Sequence, residues 1–294
     1  MARQLSLQFS GALFVAICAG CRGAPEAAAD NRAARPSAAT ERPAAAANVP
    51  SAPVQHHGSR AAPTELRTAR LRPLQAAWLE WVKLADSDVA LAPPVGATSP
   101  RRLVIGVHGA GDRADWSCGG WRLACQAAEL VACPQGSKTG PQTFAWASAS
   151  SLETRVEDAL SAARERYGEY IDQGPMIYAG FSQGATLAEP FLRKNAARFP
   201  IAILAEGGYR TVQNASFANA YKMAGGHRIV LVCGTSGCFS NAAGAQRILE
   251  RAGLEVLVVG DAKAGHNLND RMQKALQSAW PRIAAPLSQG VPAP

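Results

Sequence analysis

Gly180-Phe181-Ser182-Gln183-Gly184 decides how this chain is read. It follows an apolar run, Pro175-Met176-Ile177-Tyr178-Ala179, and precedes a segment of helical character at 183–198. A strand, a sharp turn carrying serine, and a helix form the setting in which a serine hydroxyl is presented as a nucleophile. The turn holds the serine backbone in a sparsely populated conformation, and the flanking glycines let neighbouring backbone pass close by. A helix N-terminus behind the hydroxyl favours a developing oxyanion. Taken alone, the pentapeptide also fits an ordinary strand-to-helix turn with a capping serine, so its surroundings have to choose.

Those surroundings are regular. Short apolar runs occur at Leu103–Val107, 130–133, 175–179, Ile201–Ala205, 229–233 and 256–259, as expected of parallel strands covered on both faces. Helix candidates lie between or after them, at 120–128, 152–167, 183–198, 242–252 and 268–279. This alternation predicts an α/β fold, a three-layer α/β/α sandwich around a mostly parallel sheet. Residues 66–93 supply either an antiparallel edge hairpin or a helix, because Trp78, Trp81 and Leu84 suit both. In open α/β sheets the site forms at the carboxyl ends of strands. His108-Gly109-Ala110-Gly111-Asp112, Ser182, Glu206-Gly207-Gly208, Gly234-Thr235-Ser236 and His266 all fall there.

The ends of the 294-residue chain read differently. Residues 1–21 are expected to be a signal peptide, since 5–20 form a short apolar segment of signal-core length, and they end in Cys18-Ala19-Gly20-Cys21. Small residues before a cysteine resemble a lipoprotein cleavage site, which makes Cys21 a candidate for lipidation and a membrane tether. Cleavage nearby with no anchor is the alternative. Residues 22–63 are rich in Ala, Pro and Arg, hold His56-His57, and carry too little apolar surface to offset chain entropy. They are expected to be a disordered tether, with the histidine pair a solvated part of it. Residues 64–287 then form one domain with room for a full core, and 288–294 a flexible tail. Export to the cell envelope, periplasm or medium follows.

The formal charge is +8, with basic residues scattered rather than clustered beside aromatics, so no nucleic-acid footprint is present. In an exported protein, cysteines pair by default. Cys233 and Cys238 are placed to close a tight loop, Cys118 to pair with Cys125 or Cys133, and one thiol is left over. No C-x-x-C occurs and no histidine sits at ligand spacing from a cysteine, which argues against a zinc site.

A serine hydroxyl needs an adjacent base, and Ala264-Gly265-His266-Asn267, beyond the last strand, can supply one. Residues 101–280 resemble the α/β-hydrolase superfamily. Within it they are similar to exported esterases of the polyhydroxyalkanoate-depolymerase, feruloyl-esterase and phospholipase/carboxylesterase type. The likeness rests on His108-Gly109-Ala110-Gly111, Ala132-Cys133-Pro134-Gln135-Gly136, Gly180-Phe181-Ser182-Gln183-Gly184, Cys233-Gly234-Thr235 and Gly265-His266. It implies Ser182 as nucleophile, His266 as base, and an oxyanion hole from the backbone N–H groups of Ala110 and Gln183. His108 becomes a structural member of its loop. No cofactor or metal is implied.

The chain departs from the family at the triad acid. Relatives carry Asp soon after the Gly-Thr that ends the penultimate strand, but Gly234-Thr235-Ser236-Gly237-Cys238 has no carboxylate. Glu206, after the Ile201–Ala205 strand, is the first choice and Asp261 the second. Asp112, Asp270 or a Ser–His dyad without an acid remain open. The expected function is a serine hydrolase cleaving a small-molecule or polymeric ester through an acyl-enzyme. A peptidase or thioesterase on the same triad and a catalytically degenerate tethered binding protein are the alternatives. The short segment 137–151 predicts an open cleft with Phe144 and Trp146 near its rim.

Overall fold

The apolar runs become strands because their side chains are buried on both faces, and β-branched and aliphatic residues suit that setting. In the computed structural model, which describes residues 70–287, a hairpin comes first: β1 (Glu80–Lys83) and β2 (Asp88–Ala92). The helix alternative for 66–93 does not hold there. Trp78 and Trp81 are exposed on this edge, so they lack the buried partner a packed helix needs. Next come β3 (Leu103–Val107), α1 (Ala114–Ala124), β4 (Leu130–Pro134), a small ribbon of β5 (Ser137–Lys138) and β6 (Phe144–Ala145), and α2 (Ala149–Tyr167). The second half runs β7 (Ile177–Phe181), α3 (Gln183–Thr186), α4 (Glu189–Asn195), β8 (Ile201–Ala205) and α5 (Ala215–Met223). It ends with β9 (Arg228–Cys233), α6 (Ser236–Arg251), β10 (Glu255–Gly260) and α7 (Asp270–Ile283). The segments expected to be a leader ending at Cys21, a tether with the histidine pair, and a tail lie outside the described residues.

The eight-stranded sheet has the order β1-β2-β4-β3-β7-β8-β9-β10. From β4 across to β10 every pairing is parallel, and β2 runs antiparallel to both neighbours. Alternation along each strand feeds two cores. Leu103, Ile105, Tyr178, Leu204 and Leu231 face α2, α4, α5 and α6. Val104, Ile177, Ile203, Val230 and Val232 face α1 and α7, against Trp121, Met272, Leu276 and Trp280. This is the expected three-layer sandwich. Gly106 shows how tight it is, since a Cβ there would lie 2.6 Å from Trp121 and 2.7 Å from the Cys133 sulfur.

Three helices depart from the expectation. The segment 183–198 is two helices, because Pro190 at the start of α4 lacks the N–H that would continue α3 and clashes with the preceding turn. The helix expected at 120–128 begins earlier, at Ala114, and is stopped by Gln126 and Ala127, both at positive φ. Helix α5 was not anticipated. Among the described residues, Cys118 pairs with Cys133 (Cα–Cα 5.6 Å), tying α1 to β4, and Cys233 pairs with Cys238 (5.3 Å). Cys125 stays free and buried, and burial pushes its thiol up to about 11. No described helix is long and apolar enough to cross a membrane.

Candidate active site

Strand β3 sits at the switch point of the sheet. The chain leaves it for β4 on one side and returns to β7 on the other. Loops after β3, β7, β8 and β10 therefore converge at one end, where such folds bind ligands. Between β7 and α3 the chain turns at Ser182, with φ 51° and ψ −111°. A non-glycine residue rarely adopts this conformation, and the surroundings over-determine it. The Ser182 N–H donates to Ala205 O (2.8 Å), and its carbonyl accepts from the Thr186 N–H and hydroxyl (both 2.9 Å). A Cβ on Gly180 would lie 2.8 Å from Ala185 N, and one on Gly184 2.7 Å from Val107 O, so both positions need glycine.

His266 arrives on the loop between β10 and α7. Gly265, at φ +73°, donates its N–H to Gly234 O (2.8 Å) and fixes that loop against the end of β9. The His266 Nε2 lies 2.8 Å from Ser182 Oγ, and Nδ1 lies 3.2 Å from a carboxylate oxygen of Glu206. The tautomer follows. A carboxylate only accepts, so Nδ1 carries the proton and Nε2 is left to accept from the serine hydroxyl. Phe181 packs against the His266 ring at 5.1 Å between centroids.

Glu206 is buried at the end of β8, itself at φ 50°. Its N–H donates to Val232 O (2.8 Å), and its other carboxylate oxygen accepts the Gly234 N–H in a short hydrogen bond. Gly234 lies inside the Cys233–Cys238 loop, and both sulfurs are within 4.8 Å of the carboxylate. Because those sulfurs are joined to each other, they offer no thiolate to a metal.

The other acids considered lie elsewhere. Asp261 accepts the Lys263 N–H (2.8 Å) and pairs with Arg271 (3.3 Å), which holds it below the usual carboxylate range and away from His266. Asp270 opens α7. Asp112 lines the cleft and is not the carboxylate bonded to the His266 ring.

Gln183 provides the first N–H of α3, one of the groups a helix start leaves without an internal partner. Its side chain had no anticipated role. The Oε1 accepts from Trp146 N–H (2.9 Å) and Nε2 donates to Trp146 O (3.0 Å), so it anchors the segment after β6. Ala110 lies in the loop after β3, which packs on the turn: a Cβ on Gly109 would lie 3.0 Å from Ser182 Cβ. His108 holds this loop. Its Nε2 accepts the Gly136 N–H (2.9 Å), so Nδ1–H donates to Gly109 O (2.7 Å). Burial lowers its pKa and keeps the ring neutral.

Trp146 is not a rim residue. It is buried, packs against the His108 ring at 4.6 Å between centroids, and donates its indole N–H to His108 O (2.8 Å). Phe144 bridges to Asp112 by backbone instead of lining the cleft. The cleft holds about 400 Å³ and is walled by Ala110, Asp112, Trp116, Phe181, His266 and Leu268, among others.

No protein-family model matches the chain, and no curated protein matches it. Solved structures do. A thermostable carboxyl esterase from Bacillus coagulans, bound to glycerol, superposes with a TM-score of 0.52 at 10% identity, over 71% of this chain and 99% of that one. A ferulic acid esterase gives 0.51 at 10% identity, over 70% and 96%. An uncharacterized protein from Bacillus cereus gives 0.50 at 16% identity, over 65% of this chain and 61% of that one. Sheet order, strand-end site and these likenesses agree: the chain has the α/β-hydrolase fold, which it shares with solved esterases.

Proposed function

We propose that the chain is a serine hydrolase that cleaves a carboxylic ester through an acyl-enzyme. The observation that carries this reading is the line Ser182 Oγ, His266 Nε2 (2.8 Å), His266 Nδ1, Glu206 carboxylate (3.2 Å). Ser182 attacks the ester carbonyl while His266 Nε2 takes its proton. Glu206 stabilises the imidazolium and fixes the ring, and the N–H groups of Gln183 and Ala110 receive the oxyanion. Collapse expels the alcohol, which takes its proton from His266. Water, deprotonated by His266, then releases the acid. The route calls on no metal or cofactor.

The esterase names of structural neighbours support the leaving-group assignment, and the cleft admits a small ester or a polymer end. The two disulfides support export, because such bonds persist in oxidising compartments. Cys21 then serves either as a lipid tether or as a position near simple cleavage. The test is a panel of p-nitrophenyl esters, thioesters and peptide p-nitroanilides with the purified protein. Ester turnover well above the amide and thioester rates supports the reading. Turnover of amides or thioesters alone reassigns the leaving group, and turnover of none contradicts hydrolysis.

A further inference from the structure

The cleft beside Ser182 has unlike walls. Trp116, Phe181 and Leu268 are apolar, while Asp112 and Ser117 bring polar groups among them. Ser117, on α1, is only 2% exposed, and its Oγ has no hydrogen-bond partner among the described residues. Asp112 accepts the Arg113 N–H through Oδ1 (2.8 Å) but forms no ion pair among the described residues. The Arg113 guanidinium is engaged elsewhere. It grips Asp115 through two contacts (2.9 and 2.6 Å) and lies over the Trp116 ring at 5.2 Å. Burial holds the Asp112 carboxyl above the usual carboxylate range.

A buried hydroxyl without a partner is unfavourable unless something enters the cleft to satisfy it, and the half-buried Asp112 carboxylate beside it still has acceptor capacity to fill. A single neutral hydroxyl meets both needs, donating to the carboxylate and accepting from the serine. A cationic group fits less well, because Arg113 carries its positive charge next to Asp112.

We infer that the cleft selects esters whose bound half carries a hydroxyl group, which donates to Asp112 and is fixed by Ser117. This rests on the hydrolase reading of Ser182 and adds a specificity determinant to it. A site built to pair a substrate hydroxyl rejects the analogue that lacks one, because its own polar groups are then left unpaired.

The test compares kcat/KM within two substrate pairs. One pair is p-nitrophenyl hexanoate and 6-hydroxyhexanoate, the other ethyl and 2-hydroxyethyl butyrate. Wild type should favour the hydroxylated member of at least one pair by about tenfold or more, the scale of a hydrogen bond to a charged acceptor. Ser117→Ala and Asp112→Asn should each pull that ratio toward one, and Ser117→Thr should retain it. Turnover of the plain esters with a ratio within about twofold in both pairs overturns the inference and leaves the hydrolase reading standing. A ratio that persists in both variants, or a stronger preference for an amino than a hydroxyl substituent, also overturns it. Failure to hydrolyse any ester overturns both readings together.

Discussion

Glu206→Gln isolates what the carboxylate behind His266 contributes. The substitution keeps shape and volume. Gly234 N–H requires an acceptor, so the amide oxygen takes the inner position and the NH₂ group faces His266 Nδ1. That reverses the ring: Nδ1 becomes the acceptor, the proton moves to Nε2, and Nε2 no longer accepts from Ser182. The charge is lost as well. At 3.2 Å, a carboxylate–imidazolium pair is worth about 5 kcal/mol at an effective dielectric of about 20 and about 2.5 kcal/mol at about 40. The His266 side chain is 55% exposed and Glu206 only 3%, which places the pair between these limits. The expected loss in kcat is therefore about 10²- to 10⁴-fold, with KM little changed. Steady-state hydrolysis of a p-nitrophenyl ester reads it, and a urea unfolding curve confirms that the variant is folded. A folded variant with kcat within about fivefold of wild type would refute the assignment of Glu206, because the tautomer argument alone requires more.

Three further outcomes follow from other parts of the structure. Asp112→Asn should stabilise the fold at neutral pH. The raised pKa of Asp112 means the folded state binds its proton more tightly than the unfolded state, so ionisation costs stability as pH rises through the raised value. The advantage of the variant in thermal unfolding should be largest above that value and vanish below the ordinary carboxylate range; an advantage that persists in acid contradicts the burial argument. Replacing Cys233 and Cys238 together by alanine opens a loop with a sequence separation of 5, costs about 2 kcal/mol in unfolding free energy, and lowers kcat more than KM by loosening Gly234. Unchanged turnover in that variant separates the disulfide from the position of Glu206. Cys125 should resist alkylation at pH 8 in the folded protein and react on unfolding, as mapped by peptide mass, and rapid native labelling contradicts its burial.

The sequence carried the layers of the fold well, because parallel strands buried on both faces are written as short apolar runs and the loops between them as Gly-rich turns. Most of what it hid depends on tertiary contacts, α5 being the exception. Helix α5 is short, but its start was legible: Asn214 caps it by accepting from Phe217 N–H, and Phe217, Ala218 and Tyr221 repeat on one buried face. The helix expected at 120–128 misses the first turns of α1, in which Gly119 and Gly120 lie mid-helix and Gly120 packs beneath Leu268 and Gln273. Trp146 looked like a rim residue because no local pattern shows that its indole N–H is taken by His108 O. Glu206 and His266 are 60 residues apart, so their contact is a property of strand order; Glu206 and Asp261 both follow strands, so position at a strand end does not by itself choose between them. The double anchoring by Gln183 and the polar wall of the cleft carry no motif at all.

The central claim is that Ser182 is an activated nucleophile. Intact-protein and peptide mass spectrometry after treatment with a fluorophosphonate measures it directly. The account predicts one covalent adduct mapped to Ser182 in the wild type and none in Ser182→Ala. A wild type that takes up no probe, or a Ser182→Ala protein that still does, contradicts it.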